Sequence, residues 1–189
     1  MTSKEKFKAA CAQYTASVTE TNKQLQSLSE QLGNRRITRE VYNEQYKPLA
    51  ESRERLKAET LEALEAAADE IRQQIDRWAE FNPEHASRPD AALLSGIFPL
   101  TAETLQQIAD RNKDSSLILA TVDEYAKRHQ IDPPEHATAE SKRLALENLM
   151  RHISADIRSG NTPESDFDYV GDTDYIGSAL DNLGVSDAE

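Results

Sequence analysis

Side chains able to perform acid–base, metal or nucleophilic chemistry are scattered along this chain. The four histidines, His85, His129, His136 and His152, stand alone, without the Cys/His or His-x-x-x-His spacing that holds a metal. No Gly-x-Gly-x-x-Gly, phosphate-binding loop or nucleophile elbow occurs. The sequence therefore predicts a protein that is not an enzyme, with no catalytic residue, no cofactor and no metal.

The single cysteine, Cys11, indicates a reducing compartment. One thiol cannot form an internal disulfide or a cysteine-rich metal site, and a small apolar side chain suits a buried helix position. No stretch approaches the roughly 18–20 apolar residues of a membrane span, and no apolar segment follows the charged N-terminus. We therefore expect a cytoplasmic protein without a membrane partner.

The longest predicted elements of the chain are marked by one hydrophobic pattern. Apolar residues recur at alternating spacings of three and four, the rhythm of a coiled coil, in two runs separated by Gly33-Asn34. A glycine followed by asparagine favours a left-handed helix cap, and Thr38 is a good N-cap, so the runs predict the two arms of a helical hairpin. Pro48 either kinks the second arm or restarts it. The residues predicted to form an oligomer seam are Phe7, Cys11, Tyr14, Val18, Leu25, Leu28, Leu32, Leu61, Leu64, Ile71, Ile75 and Trp78.

The predicted fold class is all-α. Hydrophobic residues make up 38% of the chain and charged residues 30%, a balance that favours elongated helices over one round core. We expect a long antiparallel coiled-coil helical hairpin, then a small helical bundle, then an acidic, largely irregular C-terminal tail. The predicted boundaries are 1–81 for the hairpin, 82–90 for a linker, 91–159 for the bundle and 160–189 for the tail.

Three capped helices are predicted in the bundle. Thr101 should cap the first, Asp114 or Ser115 the second and Thr138 the third. The stretch 91–100 is the most apolar short segment of the chain, and we expect it to insert into the core of the bundle.

The C-terminal tail combines acidity with aromatic residues. Residues 161–189 carry eight acidic side chains and no lysine or arginine, yet a plain disordered tail would be poorer in aromatics. Two interpretations stay open, an extended segment that docks on a protein partner and a disordered tail that keeps the protein in solution. The tail residues expected to bind that partner are Phe167, Tyr169, Tyr175, Ile176, Leu180 and Leu183.

Residues 101–129 are similar to a DNA-binding helix-turn-helix. The would-be recognition helix, however, opens beside Asp114 and continues to Asp123 and Glu124. Because attraction to phosphate dominates such binding, an acidic reading helix on an acidic protein makes nucleic acid an unlikely partner.

The segment Leu-Thr-Ala-Glu-Thr-Leu, Leu100 to Leu105, together with Ala109, follows the predicted coiled coil. This layout resembles small structural or assembly proteins of bacteriophages and prophages, some of them scaffolding-like. The resemblance implies a role in virion structure or assembly, located in the host cytoplasm or the virion.

The leading hypothesis is a non-enzymatic, self-associating coiled-coil protein that acts through protein–protein contacts. Its expected partners are itself, as a homo-oligomer, and a protein that binds the acidic tail. The alternative is a regulator or inhibitor. It would be either a divergent helix-turn-helix DNA binder through 101–129 or a protein whose acidic tail occupies a basic nucleic-acid-binding surface.

Overall fold

The fold is all-α, as predicted. A computed structural model describes residues 1–80, 82–96, 98–160 and 169–184, and within those ranges it contains seven α-helices, one 3-10 helix and no strand. The 3-10 helix is Pro83–Ser87. The α-helices are α1 (Ser3–Gly33), α2 (Arg39–Ala79), α3 (Pro89–Leu93), α4 (Ala102–Arg111), α5 (Ser116–His129), α6 (Ala139–Ser159) and α7 (Thr173–Asn182).

Helices α1 and α2 form the predicted hairpin. A capping box begins α1, in which the Thr2 hydroxyl accepts a bond from the Glu5 amide and the Glu5 carboxylate accepts one from the Thr2 amide. The turn differs from the expected one. Gly33 is still helical and Asn34 has a φ of −80°, whereas Arg35 takes the left-handed conformation with a φ of 55°. The reversal therefore falls one to two residues later than the glycine indicated.

The two helices run antiparallel. Near the open end, Lys6 Nζ lies 2.6 Å from Glu70 Oε1. Near the turn, residues Gln24 to Gln31 of α1 face residues Glu44 to Leu49 of α2 across a shared groove. Helix α2 runs without interruption through Pro48, so the proline does not restart it.

The chain divides into two compact units that are discontinuous in sequence. The first comprises Met1–Glu70 and Glu147–Leu180, and the second comprises Ile71–Leu146 with the described residues from Asp181 to Gly184. These divisions fall at other places than the boundaries predicted at 81, 90 and 159. The first unit is discontinuous because α6 from Glu147 onward and most of α7 belong with the hairpin. One contact between them is the hydrogen bond that the Tyr14 hydroxyl donates to the Ile157 carbonyl at 3.2 Å.

The second unit has its own apolar core around α4 and α5. Leu94 is buried there and Leu100 partly buried, so the apolar stretch 91–100 does reach a core. Phe98 is an exception, with 58% of its surface exposed, and Ile97 lies outside the described residues. The core cluster consists of Leu94, Leu105, Ile108, Ile118, Val122, Tyr125 and Ala126.

The predicted helix caps of this region are confirmed. The hydroxyls of Thr101, Ser115 and Thr138 each accept a bond from the amide three residues later, at 3.1–3.2 Å. Ser115 is the cap of α5 because Asp114 is engaged elsewhere. Its carboxylate accepts two bonds from the Arg88 guanidinium, at 2.9 and 2.6 Å, and this arginine lowers the pKa of the Asp114 carboxyl.

The stretch predicted as a linker, 82–90, carries defined structure. It contains the 3-10 helix and the start of α3, and Asn82 caps the former by accepting a bond from the Glu84 amide at 3.0 Å. Besides the Arg88 pair, Asp90 Oδ1 lies 2.9 Å from the Arg111 guanidinium. These ion pairs join the stretch to the ends of α4 and the loop before α5.

The tail is not extended where the structure describes it, so the prediction of an extended docking segment is wrong for 173–182. Helix α7 begins after Asp172, whose carboxylate accepts a bond from the Tyr175 amide at 2.8 Å, and Asp174 adds a negative charge in the first turn. Its buried residues Ile176 and Leu180 are four apart and share one face.

Candidate interaction surface

The predicted oligomer seam lies inside the single chain. Eight of its twelve residues are buried and the other four are half-buried. These side chains therefore form intrachain core instead of a bare face awaiting a second chain. The buried members are Phe7, Cys11, Tyr14, Val18, Leu28, Leu64, Ile71 and Ile75, and the half-buried members are Leu25, Leu32, Leu61 and Trp78.

Burial is concentrated in one half of the hairpin, which we call the proximal half, residues 3–18 and 58–70. Phe7, Cys11 and Tyr14 are fully buried there, and Leu64 opposite them is too. The segment that returns in the first unit covers this half. In addition to the Tyr14 bond, the Thr15 hydroxyl donates to the Val170 carbonyl at 3.5 Å.

The Cys11 thiol is unreactive at neutral pH in this position. Desolvation by burial raises the pKa of its thiol from 9.0 to about 12. Because the thiolate is the reactive form, a thiol held protonated in the core is not a nucleophile at neutral pH. Cys11 therefore acts as a small apolar side chain.

The distal half of the hairpin, residues 19–33 and 39–57, is covered much less. Leu28, at 6% exposure, is the one residue of these two ranges that is buried. Leu25, Leu32 and Leu49 are half-buried, and Tyr46 is 39% exposed. Two packed helices by themselves leave part of an apolar seam exposed, and these side chains stay partly in water among the residues that the structure describes.

A groove runs along one side of the distal half, with a volume of about 490 Å³. Leu28, Pro48 and Leu49 supply its apolar part, and Glu44 is its one charged residue. Pro48 has no N–H, so the Glu44 carbonyl cannot receive the usual helical bond from that position. We call this the distal groove; it is lined by Gln24, Ser27, Leu28, Gln31, Glu44, Gln45, Pro48 and Leu49.

Sequence reasoning missed the polar residues of the distal groove. A signal for them was present, because residues 24–29 contain no charge in a chain of which 30% is charged. Gln24, Gln31 and Gln45 belong to no catalytic or binding motif, so only their placement along one groove singles them out.

The second unit contains a separate cleft of about 380 Å³, beside Trp78 and the start of α5. Its most reactive pair is His136 and Asp123, with His136 Nε2 2.8 Å from Asp123 Oδ1. The other ring nitrogen, Nδ1, lies 3.4 Å from the Ala137 carbonyl. Whichever nitrogen carries the proton, it has an acceptor within the chain, so the pair fastens the segment before α6 to α5.

The same cleft bears on the DNA-binding alternative. Helices α4 and α5 do form a helix-turn-helix. However, Ser116, Leu117 and Ala120 at the start of α5 line the cleft, whose opposite wall includes Trp78. A DNA-reading helix presents its first turns to base edges, and in this chain the first turns of α5 border the cleft.

The tail residues expected to bind a partner contact this chain instead. Ile176, Leu180 and Leu183 are buried. Tyr169 and Tyr175 are half-buried with ring centroids 5.2 Å apart. Phe167 lies outside the described residues. The buried side chains are therefore unavailable to a partner in this conformation.

In the part of the chain that the structure describes, no three His, Cys, Asp or Glu side chains are grouped so that they could hold a metal ion. None of the helices in that part of the chain combines the length and apolar character that a bilayer crossing requires.

Comparisons with protein-family models, with curated proteins and with solved structures find no match to this chain. No family or fold relative thus suggests a function by analogy. The argument for function rests on the surfaces of the molecule itself.

Proposed function

We propose that this chain is a non-enzymatic helical protein that acts through protein–protein contacts and self-associates through the distal half of its hairpin. The observation that carries the proposal is that the apolar side chains of the two halves of the hairpin differ in how completely they are buried. Among the described residues, segments 147–160 and 169–180 join the hairpin in the first unit and the proximal half is fully buried at Phe7, Cys11 and Tyr14. In the distal half these segments reach only the edge, near Lys23 and Lys57, and Leu28 is the one buried residue.

The hydrophobic effect favours covering the distal half. Burying apolar surface stabilises by about 25 cal/mol per Å², so completing the burial of a half-exposed leucine contributes roughly 1 kcal/mol. Leu25, Leu32 and Leu49 each offer such a gain, and Tyr46 offers a larger exposed ring. Each copy of a symmetric assembly would contribute the same set.

Two of the reactive side chains support a non-enzymatic role because each is engaged within the chain. The Cys11 thiol is protonated in the core, and both ring nitrogens of His136 face acceptors of the chain. A role in virion assembly, which the phage-like segment 100–109 implies, belongs to the proposal, as does a protein partner that contacts the exposed carboxylates of the tail.

Light scattering coupled to size exclusion, over about a hundredfold range of protein concentration, tests the proposal. We expect the mass to rise from one copy to two or more. High salt should not abolish the assembly, since an apolar contact is screened far less than ion pairs. A mass of one copy at every concentration would contradict the proposal.

The experiment requires the full chain. Removal of residues 160–189 would strip Ile176 and Leu180 from the core of the first unit. A truncated protein could then associate through newly exposed core, which would imitate the expected result.

A further inference from the structure

We infer that the distal groove receives the distal half of a second copy, so that two hairpins lie side by side as a four-helix bundle. This inference rests on the proposed self-association and names the surface that performs it. The argument has three steps, which concern charge, hydrogen bonding and shape.

The low charge of the distal groove is compatible with a contact between two copies. The chain carries a net charge of −12, of which −8 lies in residues 161–189, so like-charge repulsion between copies is concentrated in the tail and is weak along the hairpin. Only one of the eight residues that line the distal groove, Glu44, is charged. Interface cores are depleted of charge in the same way. Two copies can therefore meet here with little like-charge repulsion.

The hydrogen-bonding groups of the groove suit a second copy in particular. A contact between identical copies about a two-fold axis joins the same patch to itself, so the patch must be self-complementary. A carboxylate or an ammonium cannot complement itself, but an amide side chain both donates and accepts. Gln24, Gln31 and Gln45 supply three such amides. Gln24 already donates one N–H to Glu20 at 2.9 Å and Gln31 one to Ser27 at 3.2 Å, and each amide has a second N–H and a carbonyl oxygen besides.

The shape of the groove agrees with a helix as its occupant. Its apolar part, formed by Leu28, Pro48 and Leu49, lies between two antiparallel helices. Antiparallel helix pairs commonly complete their core by packing as four-helix bundles. A second hairpin supplies both missing helices at once and covers the half-exposed seam of each copy.

The test compares two triple variants that add the same charge in different places. The groove triple is Gln24→Glu, Gln31→Glu and Gln45→Glu. The control triple is Gln13→Glu, Gln73→Glu and Gln107→Glu, three exposed helix positions away from the groove. We expect the groove triple to raise the dissociation constant of self-association at least about tenfold, and the control triple to leave it within about threefold.

A complementary pair of variants keeps the test independent of folding defects. The same three groove glutamines changed to lysine should also yield single copies, and mixing the lysine triple with the glutamate triple should restore the two-copy mass. Circular dichroism checks that all variants keep the helix content of the wild type. A mixture that stays at the mass of one copy overturns the inference.

The outcomes separate the inference from the proposed function. A wild type that stays a single copy at every concentration overturns both. A wild type that self-associates while the groove triple behaves like the control triple overturns the inference alone, and self-association then uses another surface.

Discussion

The proximal and distal halves of the hairpin share two helices and one hydrophobic pattern, yet they differ in burial. Phe7, Cys11 and Tyr14 of the proximal half are fully buried, whereas Leu25 and Leu32 of the distal half stay partly in water. The difference comes from the described residues 147–160 and 169–180, which join the hairpin in the first unit. A regular seam thus specifies which face of a helix is apolar, but the amount of burial depends on which other segments arrive there.

Alanine substitutions should separate the two halves most strongly. Phe7→Ala leaves a cavity in a fully packed site and should lower the free energy of unfolding by about 3–5 kcal/mol. Leu25→Ala should cost no more than about 1 kcal/mol, because its site is already partly hydrated. Urea unfolding followed by circular dichroism measures both.

Equal losses at the two sites would mean that the halves are equally packed in solution, and the comparison would fail. If Phe7→Ala does not fold while Leu25→Ala does, that difference itself shows the larger loss at Phe7.

Pro48→Ala probes the distal half by itself. The change restores an N–H to the middle of α2 and removes the ring that opposes a regular helix, so we expect a stabilisation of about 1–3 kcal/mol. Amide hydrogen exchange should slow around residues 44–52 and stay unchanged near Phe7. Slowing of the same size in both halves would show that they open as one cooperative unit.

A pH series probes the proximal half through Cys11. Its folded-state pKa is raised from 9.0 to about 12, so the stability is fully present below pH 9 and is lost as pH rises towards 12. The loss attributable to this thiol between pH 8 and pH 10 should be roughly 1 kcal/mol.

Cys11→Ala is the control for that series, because it lacks the thiol while every other titrating group remains. The difference in unfolding free energy between wild type and variant should shrink as pH rises from 8 to 10. A difference that does not change with pH would mean that Cys11 is not desolvated in the folded protein.

Local chemistry made much of the fold predictable. The caps at Thr101, Ser115 and Thr138 act over three residues, and the hydrophobic period that marks α1 and α2 acts over three or four. All the residues that take part in such a short-range signal are neighbours in the sequence, so the signal can be recognised without the tertiary structure. They sufficed for the all-α class and for the positions of α1, α2, α4, α5 and α6.

Helix α7 is a helix that local sequence signals do not predict. It has ten residues, it includes Gly177, and it follows acidic sequence, so neither its length nor its composition predicts a stable helix. Burial of Ile176 and Leu180 stabilises it instead. The same holds for the distal groove, whose glutamines become a site only when α1 and α2 align.

The sequence by itself therefore determined helices α1, α2, α4, α5 and α6, the caps at Thr101, Ser115 and Thr138, and the apolar faces of these helices. The tertiary structure alone decided which apolar faces are enclosed, since enclosure depends on contacts between residues far apart in the chain. The bond from Tyr14 to the Ile157 carbonyl spans 143 positions, and no pattern of period three or four carries information over that distance. That long-range packing buries Phe7, Cys11 and Tyr14 in the proximal half, whereas Leu25 and Leu32 in the distal half stay partly exposed.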